Sequence, residues 1–321
     1  MNVPLAGARE LCNRIARWLE RRGVFFSLVL ALTALLFLSA LALLPPSSTW
    51  TTITAESQFI SYRVTIGEYS TFRAGGMRGR TEDGMDLCVD GFVQPADGSQ
   101  VEYRGSSKAA LRIIIDPSRD GKAASLIPAS GGAARVISSS FVLVADPTCL
   151  GNVPDTLPVW GAVKVGDAVR PTGVAGESVP GLLLSGEVVV FARAHERFLG
   201  FRFPALVYRV TSFTLPPASS IKGYWPDGEE AAWRGVARFG KEGSALQIML
   251  AGQPSGMEIL APGDAGAFAA GRIEMGSYAE FLKDPNLITI QAVFAILLYI
   301  AKLVHDSVSR LRGEKRDWSD S

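Results

Sequence analysis

The chain has 321 residues, 48% of them hydrophobic and 20% charged, with a net charge of +1, two histidines and three cysteines. That balance suits a folded protein with a small membrane component and excludes a multi-span transporter or a disordered tail. Residues 1–23 carry +3 and residues 302–321 carry +1, which leaves −3 for the body between. A mildly acidic body lacks the basic stripe that tracks a phosphate backbone, so no nucleic-acid partner is expected.

Residues 8–22 place Leu11, Ile15, Trp18 and Leu19 at helical spacing with arginines opposite. The pattern predicts an amphipathic helix within residues 1–23, lying in the headgroup region on the cytoplasmic side. Val24 to Leu44 follows without a charge. A hydrocarbon core about 30 Å thick needs roughly 20 such residues, so residues 24–44 are expected to form a first transmembrane helix. The rival reading is a cleaved signal: Ala40-Leu41-Ala42 resembles a cleavage site and Arg21-Arg22 a twin-arginine leader. The run exceeds the roughly 7–15 apolar residues of a signal core, which favours an uncleaved span. Arginines 9, 14, 17, 21 and 22 precede the run, whereas Arg63 is the first basic residue after it. Basic flanks stay cytoplasmic, so both termini are expected inside and residues 45–284 outside.

Beyond Pro45-Pro46 the chain turns to short β-rich runs separated by Gly, Pro, Asp and Ser. Strands are expected in Thr51–Ile66, Leu87–Val93, Ala110–Ile115, Arg135–Ala145, Leu182–Ala192, Leu206–Phe213, Trp233–Phe239 and Ala245–Leu250. With no long helices between them, the prediction is a mainly β, antiparallel sandwich or barrel-like domain flanked by two transmembrane α-helices. Gly151–Pro158 suggests a subdomain boundary near 155.

Cys88 and Cys149 both fall in this body and are expected to form a disulfide in an oxidising compartment, while Cys12 stays reduced inside. The segment Asp86 to Asp97 partly imitates a calcium loop, but Cys88 and Asp97 occupy places that need an oxygen ligand and a glutamate. His195 sits in a charged turn with no nucleophile elbow G-x-S-x-G to serve. No metal ligand set can be assembled, and no cofactor is implied.

Ser219-Ser220-Ile221-Lys222 has the S-x-x-K spacing, which brings lysine to serine only on a helix. Its setting reads as loop and strand, so the anchored hydrolase it would make is the lesser reading. Tyr224, Trp225 and Trp233 cluster around Pro226-Asp227-Gly228 beside Glu229 and Glu230. They form either an interaction surface or a hairpin with core tryptophan.

Ser277 to Glu280 fits a capping box. Asp284-Pro285 then opens a run whose apolar centre is Ile288–Ile300. Residues 285–304 are expected to form a second span and residues 305–321 a cytoplasmic tail. Gln291, Ser39, Ala40 and Ala42 could pack the spans together or onto a second copy, as in a homo-oligomer. The function expected of this architecture is a membrane-held binding or assembly module for an envelope protein or polymer. A transmembrane sensor is the third reading, with little chain inside to carry the signal.

Overall fold

A computed structural model describes residues 48–105, 111–166, 182–194, 196–198, 201–239, 245–262, 268–274 and 283–317. The expected amphipathic helix, the first span, Cys12, His195 and the capping box at Ser277 lie outside these residues. The chain forms two units: one is Ser47–Asp284, and the other contains the helix Pro285–Asp317.

The first unit is built of strands. In chain order they are β1 (Thr49–Ser57), β2 (Phe59–Val64), β3 (Phe72–Arg73), β4 (Met77–Thr81), β5 (Asp86–Val89), β6 (Gly91–Pro95) and β7 (Gln100–Arg104). Next come β8 (Arg112–Asp116), β9 (Ala124–Pro128), β10 (Arg135–Ile137), β11 (Phe141–Ala145), β12 (Thr156–Val165) and β13 (Leu183–Arg193). The series ends with β14 (Arg197–Phe198), β15 (Phe201–Arg202), β16 (Val207–Leu215), β17 (Ser220–Tyr224), β18 (Ala232–Phe239), β19 (Leu246–Gly252), β20 (Gly256–Pro262) and β21 (Phe268–Glu274). A 3-10 turn, Gly67–Ser70, follows β2.

Fifteen strands join one antiparallel sheet in the order β16-β13-β1-β19-β18-β12-β2-β7-β8-β11-β4-β5, with β17, β20 and β21 branching from β12. Strands β10-β9-β6-β3 make a smaller sheet. The mainly β, antiparallel expectation holds, and the alternation in the sequence is its cause. Leu157, Val159, Val163 and Val165 of β12 are buried while Trp160, Ala162 and Lys164 between them are not. Burying one face of each strand at a period of two gathers Ile60, Tyr62, Val101, Tyr103, Ile113, Ile115, Leu143, Ile248 and Leu250 into one core.

The structure corrects several strand expectations. Thr51–Ile66 breaks at Gln58 into β1 and β2. Leu87–Val93 is two strands in different sheets, divided at Asp90. Gly91 makes that crossing possible, because a Cβ there would run into the Ile127 carbonyl. Arg135–Ala145 likewise divides into β10 and β11, one in each sheet. Just after residue 155, β12 begins at Thr156 and pairs with β18 and β2, and the core draws on residues either side of that point.

Strand β12 was absent from the expected set because Pro158 and Gly161 interrupt it. Its ladder with β18 runs from Thr156 to Ala162, but its ladder with β2 covers only Gly161 to Val165. Pro158 thus lies where no β2 neighbour needs its missing N–H. Its carbonyl is met instead by two buried phenols, Tyr103 at 2.9 Å and Tyr62 at 3.2 Å, which are 2.8 Å from each other. Two hydroxyl protons can serve only two of these three contacts, and the shorter pair gives the chain Tyr62 to Tyr103 to Pro158. Gly161 permits the close approach of β2, since a Cβ there would strike the Arg63 carbonyl.

The helix Pro285–Asp317 has 33 residues. Among the described residues no helix is long and apolar enough to cross a membrane. The run Ile288–Ile300 covers roughly 20 Å at 1.5 Å per residue, short of a hydrocarbon core of about 30 Å. The flanking transmembrane helices therefore gain no support from the described helix. It does expose Ile288, Val293, Ile296, Leu297, Tyr299, Ile300 and Leu303, the densest group of exposed large apolar side chains among the described residues.

Candidate functional site

Directly opposed residues of an antiparallel pair share a face, so the register of β12 defines what surrounds its outward side chains. Trp160 opposes Arg234 of β18, and Ala162 opposes Ala232 on one side and Arg63 on the other. Lys164 opposes Lys222 of β17 and Ser61 of β2. The result is a shallow floor of Ala162 and Ala232 between a Trp160–Arg234 row and a Lys164–Lys222 row.

Tyr69 rises from the 3-10 turn and stacks on Trp160, with ring centroids 4.5 Å apart and planes inclined by 26°. The Arg234 guanidinium lies over the same indole at 4.0 Å. At these separations a phenol ring and a guanidinium cannot share one face of the indole, so Trp160 is held between them. The turn is pinned: the backbone N–H of Gly67 donates to Asp97 Oδ1 at 2.7 Å, and Thr71 Oγ1 donates to the Gly67 carbonyl at 3.3 Å. Asp97 therefore fixes the turn that carries Tyr69. Although its ring is stacked, Tyr69 remains 54% exposed.

The same face is locally basic. Arg104 and Lys164 approach the Phe59 ring at 5.3 and 5.9 Å, and Arg104 pairs with Glu102 at 2.8 Å. Lys164 and Lys222 stand directly opposite each other, an arrangement that costs stability between like charges. Glu230 lies 3.8 Å from Lys222 and Glu258 opposes Lys222 on β20, while Glu102 opposes Ser61 on the β7 side. Arg63 on the β2 flank of β12 and Arg234 on its β18 flank are exposed.

Cys88 and Cys149 are bonded, with Cα atoms 5.4 Å apart. The bridge fastens the terminal strand β5 to the loop after β11, across β4. Arg78 of β4, opposite Cys88, donates through Nε to Asp146 at 2.6 Å and reaches Asp86 at 3.5 Å. Asp146 also accepts from the Thr148 hydroxyl at 2.6 Å and its backbone N–H at 2.8 Å. The Thr148 donors first, and Arg78 second, hold the Asp146 carboxyl down to about 2. Asp86 thus belongs to an ion-pair cluster beside the bridge.

The aromatic trio at 224, 225 and 233 does not form one platform. Trp233 is 1% exposed and lies in the core, its indole set against Gly223 and Gly252. Tyr224 lays its ring over Gly256. Trp225 closes the hairpin, donating its N–H to the Glu229 carbonyl at 2.7 Å. Ser219 precedes β17, and Lys222 is within it, on extended rather than helical backbone. The Ser219 hydroxyl is buried and donates to the Pro216 carbonyl at 2.6 Å. Positions three apart on an extended chain point to opposite sides, so this spacing does not make the dyad a hydrolase needs.

Tyr69, Trp160 and Arg234 are not among the residues that the sequence singles out, because they lie far apart along the chain and share no motif. Among the described residues no group of three His, Cys, Asp or Glu could hold a metal ion. No protein-family model, no curated protein and no solved structure matches this chain.

Proposed function

We propose that the β unit is the extracytoplasmic binding module of a membrane-held protein, and that it takes an envelope partner on the outward face of β2, β12 and β18. The observation that carries this reading is the Tyr69–Trp160–Arg234 stack, an aromatic surface ordered by its neighbours yet left open to solvent. Rings held in this way offer contact area at small entropic cost, and tyrosine, tryptophan and arginine dominate binding surfaces.

Membrane attachment is assigned to residues 24–44 and 285–304. It is supported by the charge-free run Val24–Leu44 and by the apolar side chains exposed on the helix after Pro285. The outward location is supported by the basic residues flanking those segments and by the Cys88–Cys149 bridge, since disulfides persist in oxidising compartments. Two attachment points limit the motion of the β unit, which reduces the freedom lost when a partner docks.

Cys12 and an added thiol test the location. Asp120→Cys places a cysteine in the exposed turn after β8, while Cys12 belongs to the segment expected inside. In sealed cells with a permeabilised outer layer, a membrane-impermeant maleimide is expected to label position 120 and to reach Cys12 only after lysis. Labelling of Cys12 alone in sealed cells refutes the reading.

A further inference from the structure

Resting on the reading just given, we infer that the ligand of this face is an anionic saccharide chain. Its sugar rings would lie on Tyr69, and its carboxylates or phosphates would meet Arg63, Lys164 and Arg234.

The first ground is shape. A pyranose presents a flat face of C–H bonds, and a solvent-exposed phenol ring of fixed tilt is a matching surface. Tyr69 is stacked on Trp160 and cannot swing away without breaking that contact. Arg234 on the far side of the indole supports the pile through a cation–π contact while keeping its N–H donors at the surface. The neighbouring floor of Ala162 and Ala232 leaves room for a chain lying flat across the strands.

Charge is the second ground. The body of the chain is acidic, yet this face sets Arg63, Lys164 and Arg234 around the aromatic stack. Diagonal neighbours on one face of such a sheet are roughly 7–8 Å apart, so Arg63 and Lys164 can engage successive anionic groups of one polymer. Single-stranded nucleic acid needs a succession of stacking rings along a basic groove, whereas this face offers one exposed platform. An acidic peptide would use the cations but not the ring.

The test uses the full chain in detergent micelles and titrates oligogalacturonate, its methyl-esterified counterpart, polyglutamate and oligo(dT) under one salt condition. Binding of oligogalacturonate is expected, at least tenfold tighter than of the esterified chain, polyglutamate or oligo(dT). Tyr69→Ala is expected to weaken it at least tenfold, and Tyr69→Phe to leave it within about twofold, because the platform survives and only the hydroxyl is lost. Arg63→Gln with Lys164→Gln is expected to weaken the charged saccharide at least tenfold. A bridge that stays closed and an unchanged melting temperature establish that these variants remain folded.

No saccharide binding overturns the inference, as does polyglutamate or oligo(dT) binding as tightly as oligogalacturonate. Oligogalacturonate binding that Tyr69→Ala leaves unchanged overturns it too. If position 120 labels from outside and saccharide binding fails, this inference falls while the envelope reading stands. If Cys12 labels instead, both fall together.

Discussion

Trp233 is the largest fully buried side chain among the described residues, and its environment makes a sharp prediction. A Cβ built on Gly252 would lie 2.7 Å from its Cε3, and one on Gly223 2.8 Å from its Cζ2 and Nε1. Neither glycine has a positive φ, so alanine is acceptable to the backbone at both places and the indole is the main obstacle. The indole is locked in the core and cannot yield as a surface chain end would. Gly252→Ala should therefore cost about 1–3 kcal/mol through overpacking. Trp233→Ala should cost about 3–5 kcal/mol through lost burial and the cavity left behind. In the double variant the alanine methyl enters space the indole has vacated, so the total should fall short of the sum by about 1–3 kcal/mol. Urea unfolding of the full chain in detergent, followed by far-UV circular dichroism, measures all four corners of this cycle. Effects that add within about 0.5 kcal/mol would refute the steric reasoning.

Burial pushes the Tyr62 phenol up to about 12, against the Tyr103 hydrogen bond, which pulls it down, and burial followed by the neighbouring Tyr62 raises Tyr103. A phenol that keeps its proton longer when folded adds stability that is complete below about pH 10 and lost as pH rises towards 12. That loss, on the order of 3 kcal/mol from Tyr62 alone, should disappear in a Tyr62→Phe/Tyr103→Phe variant when alkaline melts are compared. Asp146 behaves with the opposite sign: its depressed value contributes stability above pH 4 that is lost as pH falls towards 2. A carboxyl carbon titration should find its midpoint near 2, and Thr148→Val should raise it; an unmoved midpoint removes Thr148 as the cause. The bridge closes a sequence separation of 61 residues, so Cys88→Ser with Cys149→Ser should cost about 4 kcal/mol on the chain-entropy account. Unchanged unfolding midpoints with and without reductant would refute that figure.

The alternating strands and the cysteine pair were legible because their signals are local or arithmetical. Ile113, Ile115, Val188 and Val190 announce buried faces at a period of two, and Cys88 and Cys149 are the even pair of the β body. Where a chain crosses between sheets, the signal is tertiary. Leu87–Val93 reads as one run, and only the approach of Ile127 to Gly91 divides it. Strand β12 hid for a related reason: Pro158 and Gly161 look like breakers until Tyr62, Tyr103 and β2 are beside them. The candidate site inherits that blindness. Its three stacked residues come from a turn after β2, from β12 and from β18, and spacing along the chain holds no trace of their meeting. Of the aromatics that did cluster in the sequence, Trp233 went to the core and Trp225 to a hairpin.

The covalent clip on β5 has a consequence for how this protein is made. A sheet ending in a free four-residue strand offers bare amides and carbonyls to any neighbouring chain, the usual start of unwanted association. Until Cys88 meets an oxidant, β5 is held by its short ladder with β4 and by the pairs that Asp86 makes with Arg78 and Arg80. Crowded copies whose bridge has not yet closed would then be most prone to stick together, and conditions slow to form disulfides would lose them as aggregates rather than as unfolded monomers.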